Sequence, residues 1–330
     1  MQRRDFFKTG ACAVLVQSPK PAGDPFRIGF LGPEKREKDY RSSAGTLTSV
    51  RWVAAKQAQA VIVASPLERR AKDALAELRA GRHVLIEPPV STSFKEFDPL
   101  VGEATARDLR IGVAYPLRYA PHCIRARELL RSASIGRVQS VRIEASDAGD
   151  AAYGYLGQAT HLLDLPRWLF GAALVSVTAR SDPQAAAALP AGALHLQVSY
   201  QGPRATYDAV PPGSAPPGGW TLTVAATSAS LRLTGTGQLL EMRGGGDWAQ
   251  LPVPSTPDAL SLLVADFAEA CRTGREPEAN AVDGMAGVGL LSGAVASARG
   301  GRASQLLYSH YQIELDDAFE RQSRAAGKRN

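Results

Sequence analysis

An α/β fold in two parts is predicted for this chain: a parallel sheet flanked by helices, then an α+β domain with a large open, mostly antiparallel sheet. Three observations carry that prediction. Between residues 26 and 114, short β-branched apolar runs alternate with helical periodicity, as strands do when crossover helices keep them parallel. After residue 120, strand candidates follow one another across Gly/Pro-rich turns such as Pro211-Pro212-Gly213 and Gly244-Gly245-Gly246. The length, 330 residues, is enough for two cores.

Each element has a local reason. Residues 26–31 (F-R-I-G-F-L) read as the first strand, ending at Gly32. Residues 44–58 carry an amphipathic helical pattern. Residues 60–64 (A-V-I-V-A) are apolar on both faces, a buried strand stopped by Ser65-Pro66. A helix is expected over 67–80 with Gly81 as its stop, a strand at 84–86, a helix at 94–107 and a strand at 110–114. The second part should hold helices at 121–132 and 160–170. Its strands should lie at 138–145, 174–180, 193–200, 203–209, 219–227, 229–234 and 237–242. Two helices near 257–273 and 281–299 should close it. The expected boundaries are 1–24 outside the fold, 25–120, 121–306 and a tail, 307–330.

Composition narrows the function. Hydrophobic residues make up 45% and charged ones 21%, a globular balance. No apolar run approaches the ~20 residues of a membrane-spanning helix. The net charge of +6 is scattered, with Arg3, Arg4, Lys8, Lys328 and Arg329 at the termini, so no nucleic-acid partner is expected. Cys12, Cys123 and Cys271 lack metal-ligand spacing, and no metal site is predicted; Cys123 and Cys271 either pair or sit as buried thiols. Arg3-Arg4-Asp5-Phe6-Phe7-Lys8, ahead of the short apolar stretch 11–16, resembles a twin-arginine export signal. Export to the periplasm is therefore expected, the alternative being a basic start to a cytoplasmic chain.

Six stretches, in order and at matching spacing, carry a family resemblance. They are A-V-I-V-A-S-P (60–66), A-G-R-H-V-L-I-E-P-P (80–89), Y-P-L-R-Y-A-P (115–121), I-G-R-V-Q-S-V-R (135–142), H-L-L-D-L-P-R-W-L-F-G (161–171) and D-F-A-E-A-C-R-T-G-R-E-P (266–277). Together they resemble the Gfo/Idh/MocA family of NAD(P)-dependent sugar and polyol oxidoreductases. The resemblance implies a Rossmann-like first domain, here reduced, and a homodimer or higher homo-oligomer. It also implies a small carbohydrate as ligand and NAD or NADP as the family's cofactor.

The family's chemistry is thinned at several positions. Where the family writes G-x-G-x-x-G, this chain has Gly32-Pro33-Glu34-Lys35-Arg36-Glu37, with carboxylates where phosphates would sit. Too few residues separate Gly32 from the strand at Ala60 for a complete Rossmann half with its ribose-binding acid, so that unit should be deleted or reduced to one helix. The T-P-N-x-x-H motif corresponds to Ser65-Pro66-Leu67-Glu68-Arg69-Arg70. The lysine of E-K-P is Pro88, beside a surviving Glu87; the aspartate of D-x-G-x-H is Gly157, ahead of a surviving His161.

The candidate catalytic residues are therefore His161 and Glu87. Arg118, Tyr115, Tyr155 and Asp164 are expected to contact substrate, with Tyr153, Asp147 and Asp150 near the same rim. Gly32, Ser65, Pro66 and Glu87 form a vestigial cofactor site. His83 reads as structural, and His122, His195 and His310 join no constellation. The expectation is a pseudo-oxidoreductase without competent NAD(P) binding and with no cofactor. The alternatives are an active NAD(P)-dependent sugar oxidoreductase with substituted residues, or a non-redox lyase using His161 and Glu87.

Overall fold

A computed structural model describes residues 24–91, 93–132, 135–146, 154–171, 174–181, 194–200, 204–210, 219–255, 257–300 and 304–305. The export-signal segment except Asp24, Asp147, Asp150, Tyr153, His310 and the tail lie outside the described residues.

The first sheet has five parallel strands: β1 (Phe26–Leu31), β2 (Val50–Trp52), β3 (Ala60–Val63), β4 (His83–Ile86) and β5 (Ile111–Val113), in the order β2-β1-β3-β4-β5. The intervening helices are α1 (Glu34–Ala44), α2 (Leu67–Arg79) and α3 (Phe94–Arg107). Alternate side chains of the strands enter two cores. Val61, Val63, Val84 and Ile86 pack with Ala74 and Leu78 of α2 and Phe97 and Leu100 of α3. Phe26, Ile28, Ala60, Ile62 and Leu85 face the opposite way, onto Tyr40 and Ala44 of α1. Apolar burial on both faces is what a parallel sheet requires.

The helix expected over 44–58 is not there. α1 begins at Glu34 and ends at Ala44, and residues 44–58 hold β2 and a single 3-10 turn, Ala55–Gln57. β2 exists through its pairing with β1, Val50 opposite Phe26 and Trp52 opposite Ile28. From β2 the chain returns over β1 in residues 53–59 alone, whereas parallel strands ordinarily need about a dozen residues or more to cross. It can do so because Gly29 lies beneath it: a β-carbon there would stand 2.6 Å from the Ala55 Cα. The reduced Rossmann half is thus one helix, one short strand and a tight crossover.

Among the described residues the second sheet has nine strands. They are β6 (Val138–Ser146), β7 (Leu174–Ser181), β8 (Leu194–Tyr200), β9 (Arg204–Val210), β10 (Trp220–Ala226), β11 (Ser230–Thr234), β12 (Leu240–Arg243), β13 (Ala249–Gln250) and β14 (Ser304–Gln305). Their order is β13-β12-β11-β10-β6-β9-β8-β7-β14, antiparallel except for β6 beside β9. The two outermost strands, β13 and β14, carry no sequence signal, and their shortness blunts the sheet's edges.

Val141, Ile143, Leu196, Val198, Leu222, Val224, Leu231 and Leu233 are buried in the main core. Helices α4 (Pro121–Arg131), α5 (Gly154–Phe170) and α7 (Ala281–Gly300) cover that face. Leu196 and Val198 thus belong to the chain's own core. The other face presents a polar row in register: Thr178, Gln197, Thr206, Arg142, Thr223, Arg232, Glu241 and Gln250.

Helix α6 (Ala259–Thr273), expected to close the second sheet, packs instead on the first. Its Leu263, Val264, Phe267 and Ala268 complete the core under β1, β3 and β4. Asp258 caps it, accepting from the main-chain N–H of Leu260 and Ser261 at 3.0 and 3.2 Å. Cys123 and Cys271 are free and buried, and burial pushes both thiols up. Among the described residues no helix is long and apolar enough to cross a membrane.

Candidate functional site

The chain leaves β1 toward β2 on one side and returns as β3 on the other, so the sheet's switch point lies between the carboxyl ends of β1 and β3. Ligands of open α/β sheets bind at such points. Gly32 sits there, and its lack of a side chain has a local cause. A β-carbon would come within 2.9 Å of the Ala64 carbonyl carbon, so glycine is required by the approach of two strand ends.

The N-terminus of α1 follows. Pro33 precedes it without a side-chain cap, and Glu34 and Glu37 occupy the first turn, each paired one turn on with Lys38 and Arg41 at 2.7 Å. At the end of β2, where a ribose-binding acid would stand, Trp52 lies under the Arg41 guanidinium, 5.0 Å from the ring centroid. Glu34 and Glu37 thus stand where the family's phosphate turn would lie, Trp52 stands where its ribose-binding acid would, and Pro88 stands where its lysine would.

The loops after β3 and β4 are tied together by Arg70, which stands at the motif's histidine position and is fully buried. It donates from Nε to the Ser65 carbonyl (2.9 Å) and from Nη1 to the carbonyls of Glu87 (3.0 Å) and Pro89 (2.8 Å). Ser65 is buried, and Pro66 opens α2 by accepting from the Arg70 main-chain N–H at 3.0 Å. The Pro88–Pro89 peptide bond is cis.

Glu87 points its carboxylate at α1, where Arg36 Nη2 lies 2.5 Å from Oε1. Tyr40, one turn beyond Arg36 on the same face, joins them, its ring 5.3 Å from the guanidinium carbon. Burial, then the Glu87 carboxylate, pushes the Tyr40 phenol well above its ordinary value. The Arg36 side chain thus reaches from α1 to the loop after β4.

His161, in the middle of α5, packs edge-on against Tyr115 with ring centroids 5.8 Å apart. Burial and the Arg36 and Arg70 charges push its pKa down to about 4, with Asp164 opposing. A neutral imidazole is a proton acceptor or hydrogen-bonding group at neutral pH, not a proton source.

Arg118 and Asp164 engage each other. Arg118 donates from Nε and Nη2 to the Asp164 carboxylate at 2.7 and 2.6 Å, and from Nη1 and Nη2 to the Asp283 carboxylate on α7 at 3.1 and 2.8 Å. Its Nη1 also donates to the Glu278 carbonyl at 2.8 Å. Arg167 contacts Asp283 as well. The Arg118 guanidinium lies over Tyr115, 5.5 Å from its centroid. Among the described residues Arg118 makes five hydrogen bonds. Tyr155 lies near the start of α5, and its side chain lies outside the described residues.

Of the other histidines, His83 accepts from the Arg110 main-chain N–H through Nδ1 at 2.9 Å, and burial pushes it down to about 4. His122 is buried beside Trp220, ring centroids 5.9 Å apart, and is pushed down to about 4 by burial. The His195 side chain lies outside the described residues. No group of three or more His, Cys, Asp or Glu is placed to hold a metal ion among the described residues.

Sequence reasoning missed Arg36 and Tyr40. Their i, i+4 spacing was the available signal, but it counts only once α1 is placed at 34–44. Asp283, Arg167 and Glu278 were missed because nothing local marks them as partners of Arg118.

No protein-family model matches the chain. An inositol 2-dehydrogenase of Saccharopolyspora erythraea is 33% identical over 142 residues, 41% of this chain and 41% of that protein. The chain spans less than half the length of the curated relatives it matches first. In structure it is similar to an aldose-aldose oxidoreductase from Caulobacter crescentus, solved with glycerol: TM-score 0.71, 18% identity, 86% of this chain and 100% of that one. An oxidoreductase from Agrobacterium radiobacter, solved with NAD+, L-tartaric acid and magnesium, aligns at TM-score 0.70 and 15% identity over 85% of this chain and 98% of that one. The likeness to these solved structures is one of fold.

Proposed function

We propose, from the likeness of its relatives and its fold to Gfo/Idh/MocA-type oxidoreductases, that this chain has given up dinucleotide binding and retains a crevice for a small carbohydrate-like ligand. The observation that carries this reading is the Arg36–Glu87 ion pair across the crevice. A cofactor entering there would have to break it and then meet Glu34, Glu37 and Trp52. The expected result is no thermal shift with NAD(H) or NADP(H). Ligand at 100 times its dissociation constant stabilises a fold by ~2.7 kcal/mol, enough to register in a melting curve. A clear rise in melting temperature with either cofactor overturns the reading in favour of an active dehydrogenase.

One observation favours a non-redox second reading. His161, held neutral against Tyr115, is available as a base without any cofactor.

A homodimer is proposed through the polar face of the nine-stranded sheet, with the row from Thr178 to Gln250 at the contact. Light scattering at micromolar concentration should report twice the 35.0 kDa chain mass; a monomer throughout rejects the contact. Export by the twin-arginine route is likewise proposed. A reporter fused to residues 1–24 should leave the cytoplasm, and changing Arg3 and Arg4 to lysine should retain it; retention of the unaltered fusion sinks the proposal.

A further inference from the structure

We propose that the crevice recognises an acid: Arg36 takes the carboxylate of a sugar-acid-sized ligand, and Glu87 is the internal carboxylate that the ligand displaces. This rests on the dinucleotide-free reading above and names the chemistry of the same site.

Three features converge. First, the Arg36 side chain is 34% exposed while that of Glu87 is 9% exposed, so the guanidinium reaches from solvent to a buried acid and is open to a competitor. Second, two groups of α1 converge on one buried carboxylate. Arg36 Nη2 lies 2.5 Å from Glu87 Oε1, and the Tyr40 phenol, on a residue 0% exposed, stands beside the same acid. A ligand carboxylate in place of Glu87 would meet both groups.

Third, the field favours an anion. Both Arg36 and Arg70 disfavour a proton on His161, and Asp164, which opposes them, is bound by Arg118. A carboxylate matches the planar fork of arginine with two parallel N–H···O bonds, a geometry that no neutral hydroxyl reproduces. Glu34 and Glu37 decide against a polyanion, because a diphosphate would meet two carboxylates in the first turn of α1. A compact monoanion meets less of that repulsion. Its hydroxyls would face the neutral ring of His161, which has one donor and one acceptor nitrogen.

The test uses the full chain and a matched pair of probes, D-glucuronate and D-glucose, with inorganic phosphate and both nicotinamide cofactors alongside. Glucuronate should raise the melting temperature and glucose should not. Arg36→Gln should abolish the glucuronate shift. Glu87→Gln, which removes the competing charge, should tighten glucuronate binding on the order of tenfold in calorimetry, the scale of one charge-assisted hydrogen bond. Circular dichroism checks that both variants fold; if Arg36→Gln does not, Arg36→Lys should still weaken binding through loss of the fork.

Equal shifts with glucose and glucuronate overturn the proposal, as does binding of phosphate without glucuronate. Weaker or unchanged binding in Glu87→Gln also overturns it, because Glu87 would then be a support and not a competitor. No response to either sugar, with no response to the cofactors, overturns this inference and leaves the dinucleotide-free reading standing. A cofactor shift overturns that reading.

Discussion

Replacing Arg118 by alanine is expected to cost the folded chain about 3–5 kcal/mol, the range for removing one partner of a buried ion pair. The guanidinium is 2% exposed at its side chain, against 4% for Asp164 and 8% for Asp283. Its removal leaves two buried carboxylates with Arg167 as their remaining cation, besides a Glu278 carbonyl without its donor. The loss should appear as a drop in melting temperature on the order of 10 °C. Arg118→Lys should recover only part of it, since an ammonium cannot bridge two carboxylates through parallel bonds. A loss under about 1 kcal/mol would show that the carboxylates are solvated or protonated and that the cluster does not join the helices as described.

Acidification should destabilise the chain steeply between pH 6.5 and 4. His83, His122 and His161 are each pushed down to about 4, against 6.5 for a free imidazole. Their native forms bind fewer protons than the unfolded chain throughout that window. Stability is therefore fully present above pH 6.5 and is lost as the pH falls through 4, below which these groups add no further slope. For His122, 1% exposed, the effect is on the order of 3 kcal/mol. Denaturant midpoints at several pH values check this, and His122→Leu should flatten the profile. A midpoint that stays constant from pH 7 to 4.5 rules the account out.

Much of the fold was legible in local pattern. The runs 60–64 and 84–86 read as buried strands because parallel strands are apolar on both faces, and Val138 to Ala145 read as a half-exposed strand by its alternation. β2 was not legible. Three residues carry no period, and their extended form comes from the edge of β1. The two-residue strands β13 and β14 escaped for the same reason. Helix α6 was found in sequence but given to the wrong sheet, because an apolar helical face records that it is buried and not what buries it.

The candidate site divides in the same way. The sequence by itself determined what is missing: a proline at Pro88 has no ammonium, Gly157 has no carboxylate, and Glu34 and Glu37 carry negative charge in any fold. Only the tertiary structure decided what replaced it. Arg36 reaches Glu87 because α1 starts immediately after Gly32 and the sheet brings the ends of β1 and β4 to one edge. Arg118 meets Asp164 and Asp283, 46 and 165 residues away, because α5 and α7 converge on the turn after β5. Loss of a functional group is a property of one residue, whereas a charge pair is a property of two, and their distance is set by packing that no local pattern encodes.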